Sequence, residues 1–501
     1  MTLVHRPLVT CLAFAALFTF LFHGTGIGLN LLLFEVLVFG ALFAMRRLPM
    51  ERYVMLTVGG SLLTAVMVVL YGSSLALVVN MVSVVFAVGV LLAPELGALH
   101  HSAALAGAHL LAAQQAFVRL LPVPDSGGSG LRLTPRGVLS ITLLPLIVLL
   151  FATLYSGSNP YFGKLVEDFY SWLGRIDSSL PFVFLLGLVL STFLLLATRN
   201  EQIVRWARAK MDALVPSVRM GEDDHRRSVR SEAAIGILLL ASLNALLLLL
   251  NALDIHHVWF NFRFEGQYLK AFVHEGTWLL IVSIVLGALI VLYYFRGDLN
   301  FHARNRMIKM LSYLWLTQNA LLVVSVAIRN YWYIHHYALA YKRIGVAFFL
   351  LATLVGLLLI MVKVRRQRSH HFLVRWNMVS LYGIALLMTL VDWDTVIARY
   401  NMAQRGRAFI ELNYLATLSD KTLPYLLHST QELAELDRHN EQVLGGPERY
   451  HRRLYMPPER FAARVHDRVE HFLDDYPERS WKEWNAADAR AHAKLSVLGG
   501  P

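Results

Sequence analysis

The chain has 501 residues and a net charge of +12, with 56% hydrophobic and only 16% charged residues. Soluble domains carry about a quarter charged residues, so this balance excludes an ordinary soluble protein and points to a polytopic membrane protein. The single cysteine, Cys11, excludes an intrachain disulfide and a cysteine-based metal site, and the basic excess reads as loop charge that orients a membrane protein rather than as a nucleic-acid surface.

A bilayer core of about 30 Å needs about 20 apolar residues per helix. Eleven runs approach that length: 8–22, 29–45, 53–71, 75–94, 138–157, 180–198, 233–253, 277–295, 311–329, 344–363 and 372–391. The first follows His5 and Arg6 as a signal peptide would. No small-x-small cleavage site follows it in "HGTGIGLN", so it is expected to stay as a helix. Glu35 sits inside the second run, in "LLLFEVLVFG". A carboxyl there costs about 2.5 kcal/mol or more in hydrocarbon. It is expected to face protein, either as a hydrogen-bonded acid between helices or as the carrier of a proton-coupled step.

Residues 96–120 are Ala-rich and hold His100, His101, His109 and two glutamines; they read as a helix lying on the cytoplasmic interface. "NPYFGKLVEDFYSWL", from Asn159, reads as an aromatic helix on the outer headgroups, and "EQIVRWARAKMDAL", from Glu201, as a basic counterpart inside. Farther on, Asn244, Asn251, Gln318 and Asn319 lie within apolar runs, where amides can link helices by hydrogen bonds.

Loop charge sets the orientation. With the N-terminus cytoplasmic, the inner segments hold 24 Lys and Arg and the outer ones 7, the positive-inside asymmetry of a cytoplasmic (inner) membrane protein. The segment from Asp392 onward is then extracytoplasmic. Its 15 basic and 17 acidic residues are mixed. Amphipathic spacing predicts helices around "KTLPYLL", in "PPERFAARVHDRVEHFLDDY" and in "WKEWNAADARAHAKL". The expected fold is all-α: a transmembrane bundle over 1–391 and a small helical domain over 392–501.

No Walker loop, dinucleotide fingerprint, nucleophile elbow or HExxH occurs, and no cofactor is implied. Polar chemistry gathers on the predicted outer side. Asp254, His256, His257 and Glu265 follow the seventh run, and His274 and Glu275 open the eighth. Arg329, His335, His336, Lys342 and Arg343 lie in "RNYWYIHHYALAYKR", and Asp392 and Asp394 close the eleventh run. Such residues can pair across helix ends, build a solute cavity or bind zinc. Pairing is the favoured reading. Aromatic and ionisable residues ordinarily crowd membrane interfaces, and long cations snorkel. The four His pairs fall on both predicted faces, so one site cannot hold them all. Arg329 and the run Tyr341, Lys342, Arg343 are expected to meet Asp254, Glu275, Asp392 or Asp394, walled off by Trp332, Tyr333 and Tyr337.

The words "FVHEGTWLLIVSIVL", "YYFRGDLNF", "YLWLTQNALLVVSVAIRNYWYIHHYALAYKRIGV" and "VDWDTVIARYN", with "SNPYF" and "GTGIGLNLLLF" earlier, carry a resemblance. The chain resembles the bacterial membrane family catalogued as domain of unknown function four-one-seven-three, with its relative four-one-five-three. The family pattern often shows Gly-Leu-Thr where this chain has Ala338-Leu339-Ala340. The resemblance implies fold and membrane location but no activity. The favoured function is a non-catalytic membrane component acting through its extracytoplasmic face, with lipid and an envelope protein as partners. A small-solute transporter and an intramembrane or metal-dependent enzyme are the alternatives.

Overall fold

The computed structural model describes residues 6–46, 51–120, 179–210, 212–214, 223–260, 266–295, 305–444 and 455–498, with a few isolated positions besides. The side chains of 223–229 and 266–279 fall outside that set. Regular structure among the described residues is helical, apart from one isolated bridge between Ala213 and Arg368. The all-α expectation holds. Six of the helices are long and apolar enough to cross a membrane, and four shorter apolar helices accompany them. The run 138–157 and the aromatic segment from Asn159 lie outside the described residues; each of the other ten runs lies on a helix. The chain forms two compact units, residues 1–208 with 479–486, and 209–478 with 487–501.

In the first unit, α1 (Arg6–Phe22), α2 (Leu29–Arg46), α3 (Arg52–Tyr71), α4 (Ser74–Leu92), α5 (Leu99–Leu120), α6 (Ser179–Leu195) and α7 (Glu201–Arg208) follow in order. The α3–α4 turn is tight because Gly72 takes φ +55°, a left-handed value that suits glycine. Helix α5 departs from the interfacial expectation. Gln114 reaches Val189 and Thr192 of α6, while His109 reaches Phe193 and Thr198. As α5 ascends, its partners on α6 descend, so the two helices run antiparallel along their length. On its other side, α5 approaches α4 so closely that a Cβ on Gly89 would lie 1.9 Å from the Ser102 carbonyl. It is therefore a bundle helix. Its low apolarity misleads because its polar groups bond to neighbouring helices instead of facing headgroups. Leu120 and Ser179 consequently lie at the same end of this unit.

Residues 479–486 rest on the turns at that end. The Gly26 amide donates to Glu483 (2.8 Å) and the Leu29 amide to the Trp484 carbonyl (3.1 Å). A Cβ on Gly28 would stand 2.3 Å from the Glu483 carbonyl, and one on Gly26 2.6 Å from the Glu483 carboxylate, so in "GTGIG" these two glycines make room for the tail segment, while Gly24 takes φ +67°.

In the second unit, α8 (Asp223–Asp254), α9 (Gly266–Tyr294), α10 (Asn305–Tyr337), α11 (Tyr341–Arg365) and α12 (His370–Thr389) form a bundle. Its core includes Leu240, Ile284, Leu316 and Leu322. Then follow α13 (Trp393–Ala403), α14 (Thr430–Leu444), α15 (Pro458–Asp475) and α16 (Ala486–Leu498), with short helical turns at 412–415 and 420–426. Pro458 opens α15, where its missing N–H costs nothing. The apolar face of α15 (Phe461, Val465, Val469 and Phe472) packs into one core with Ile397, Leu415, Leu423 and Leu495. Ala338 and Ile344, at the ends of α10 and α11, belong to the same core.

Candidate functional site

Three polar clusters stand out against the apolar background. The first lies in the first unit around Glu35, which is 5% exposed. Ser61 donates to one carboxyl oxygen and Asn80 to the other, both at 2.8 Å. The Asn80 amide also reaches the Ser61 carbonyl (3.0 Å) and the Thr64 hydroxyl (3.2 Å). The acid on α2 thus ties α3 to α4 and faces protein. Serine and threonine, small and hydroxylic, let these helices approach while supplying donors. Ser61, Thr64 and Asn80 complete a site in which the sequence singled out only the acid.

The second cluster runs along the contact between α8 and α10. Asn244 and Asn251, seven residues apart, donate to the carbonyls of Leu311 (3.1 Å) and Gln318 (3.2 Å), also seven apart. Gln318 returns a bond to Asn244 (2.7 Å). A shared seven-residue spacing keeps two parallel helices in register. The seam ends in an ion pair. Arg329 donates to Asp254 at 2.5 Å, and Ser325 donates to the other carboxylate oxygen at 2.5 Å. Arg329 is 4% exposed and Asp254 6%, so water screens neither charge. Arg329 meets Asp254, one of the four carboxylates expected for it.

The third cluster surrounds the α10–α11 turn. Lys421, also buried, reaches Asp392 at 2.9 Å and Asp394 at 3.4 Å. Thr395 donates to Asp392, and Tyr341 and Ser419 donate to Asp394. The Tyr341 amide donates to the Tyr414 hydroxyl, which burial raises in pKa and keeps protonated. Arg343 differs from expectation. It donates to the carbonyls of Tyr337 (2.5 Å) and Ala338 and lies over the Tyr333 ring, 4.4 Å from its centroid. The reason is local: α10 leaves unpaired carbonyls at its C-terminus, and a guanidinium six residues on reaches them. Asn401 closes the turn by pairing with both the N–H and the C=O of Leu339. Asn440 clamps Ile410 in the same two-handed way.

The rest of the expected outer set scatters. Lys342, His256, His257 and His335 are exposed. His257 Nδ1 lies 3.0 Å from the Leu253 carbonyl, and His336 stacks on Trp332. Glu265, and the side chains of His274 and Glu275, lie outside the described residues. The acids therefore divide between two clusters. The cation for Asp392 and Asp394 comes from the tail, from Lys421. No periodic signal marks Lys421, which stands in a stretch of mixed charge.

The pattern of the family described as Domain of unknown function (DUF4153) matches residues 58–428, well over half of the chain. The chain belongs to this family. The match is to the second of the two families that the sequence words suggested. No curated protein and no solved structure matches the chain. Membership and the apolar helices make this an integral membrane protein of unassigned activity. Within the matched range lie all three clusters except Glu35.

Proposed function

We propose that this protein is a non-catalytic component of the bacterial cytoplasmic membrane that works through a helical platform on the extracytoplasmic side. The observation that carries this reading is the shared core. Phe461 and Leu495 of the tail pack in one cluster with Ala338 and Ile344 of the bundle helices. Tyr341, which opens α11, donates across the same boundary to Asp394, which Lys421 also pairs. A platform built this way transmits force or position between partner and membrane helices, as a sensor, scaffold or assembly partner does. The loop-charge asymmetry supports an inner N-terminus and an outer tail. Photo-crosslinking residues placed at Arg464 and Asp467, exposed on α15, should yield one discrete protein adduct in intact cells. Absence of any adduct, together with solute flux in vesicles holding the purified chain, would instead establish a carrier.

The carrier is the second reading. Glu35, buried within α2, favours it, because intramembrane carboxyls commonly mark ion or proton pathways. Glu35→Gln should abolish a proton-coupled flux while keeping the fold, since the amide oxygen still accepts from Ser61 and Asn80, losing one acceptor, keeps the Ser61 carbonyl and the Thr64 hydroxyl.

A further inference from the structure

We propose that the segment Ser480–Asn485 is a lipid-interface anchor, with Trp481 and Trp484 seated among phospholipid headgroups. The argument begins on α1. Its exposed positions Val9, Leu12, Ala16 and Phe20 recur every three or four residues. That stripe is the surface a spanning helix turns to lipid. Phe20 is the last of it, 59% exposed and one turn from the outer end of the helix.

Lys482 is held at that position. Its Nζ donates to the Phe20 carbonyl at 2.5 Å and lies 4.2 Å from the centre of the Phe20 ring. The segment around it is rigid. Ser480 and Glu483 form a reciprocal capping box, and the second Glu483 carboxylate oxygen takes the Gly26 amide. Asn485 rests against Gly72 of the next turn. The segment therefore lies at the level where the lipid-facing stripe of α1 ends.

At that level the chain presents Trp481, 55% exposed, and Trp484, 41% exposed. Trp481 opens the 3₁₀ turn and Trp484 caps it, its N–H donating to the Trp481 carbonyl at 3.3 Å, so the two indoles leave the same short turn. Ile27 in the supporting turn is 43% exposed as well. An indole is apolar in its body and has one N–H donor, which suits the headgroup zone and makes tryptophan frequent there. The Lys482 ammonium, fixed at Phe20 within the same segment, matches the phosphate layer. Continuity with the lipid-facing surface of α1 selects phospholipid as the occupant rather than a protein.

The test compares the full chain with its Trp481→Phe, Trp484→Phe double variant in nanodiscs of phosphatidylcholine. Phenylalanine keeps the aromatic contacts, and the difference in fluorescence isolates the two indoles. Acyl chains brominated near the headgroup should remove most of that difference signal. Chains brominated at mid-length should remove less, and aqueous iodide little. Quenching by iodide with none by brominated lipid overturns the proposal in favour of a water-facing loop. Quenching by neither overturns it in favour of a buried one.

Discussion

Arg329 is the residue on which the α8–α10 seam is most exposed to damage. Removing one partner of a buried ion pair costs about 3–5 kcal/mol, because the other charge stays buried and unpaired. Arg329→Ala should therefore lower the melting temperature in detergent sharply, and Asp254→Asn added to it should restore part of the loss. Additive losses in that double variant would show that the two side chains are not coupled. The α10–α11 turn makes a second, opposite prediction. Ala340 is the N-cap of α11 and has no side-chain cap bond. Ala340→Thr should stabilise the protein by about 0.5–2 kcal/mol. Ala338 holds φ +61°, in the left-handed region that favours glycine. Left-handed backbone costs a non-glycine residue about 1–2 kcal/mol, while the buried methyl returns about 0.8 kcal/mol and glycine loses roughly 0.5–1 kcal/mol more entropy on folding, so Ala338→Gly should be nearly neutral. Ala338→Val should be destabilising, since a β-branched residue tolerates that backbone poorly. Electrostatic need made Arg329 and its partner legible in the sequence. Nothing comparable marked Lys421 or Ser61, whose roles arise from segments far apart in the chain.

At the scale of elements, hydrophobic runs of the right length corresponded to helices wherever the structure describes them. The exception is α5, whose histidines and glutamines resembled an interfacial surface. Sequence reports polarity but not whether a polar group bonds to a neighbouring helix, so this helix was misplaced while its helical character was plain. Its far turn carries an electrostatic corner. Glu95, just before α5, accepts from Arg199 (2.6 Å), which precedes α7, and from Arg208 (2.8 Å), which ends it. Burial alone would push this carboxyl up; its backbone and arginine bonds outweigh that and hold it below its ordinary 4.5. A depressed folded pKa means that the contribution is present above 4.5 and lost as pH falls through the lower folded value. The side chains are a third or more exposed, so the effect belongs with surface pairs, about 0.2–1 kcal/mol before screening. Protein carrying Glu95→Gln should show a smaller acid-induced drop in melting temperature below pH 4.5 than the natural chain. An unchanged drop would remove the corner from the account.

At the scale of the whole molecule, composition and loop charge made a membrane bundle and a helical tail apparent. They did not show that the tail completes a core begun by bundle helices, because that depends on Ala338 and Ile344 meeting Phe461 and Leu495 across more than a hundred residues of chain. The proposed platform rests on that shared core, and the core can be measured directly. Phe461 is fully buried, and Phe461→Ala should cost about 3–5 kcal/mol. Hydrogen exchange of the full-length variant in detergent should then speed up at the end of α10, in the 338–340 turn and at the start of α11, as well as through 410–475. Faster exchange confined to 410–475, with the 337–344 amides unchanged, would contradict the coupling of tail to membrane helices.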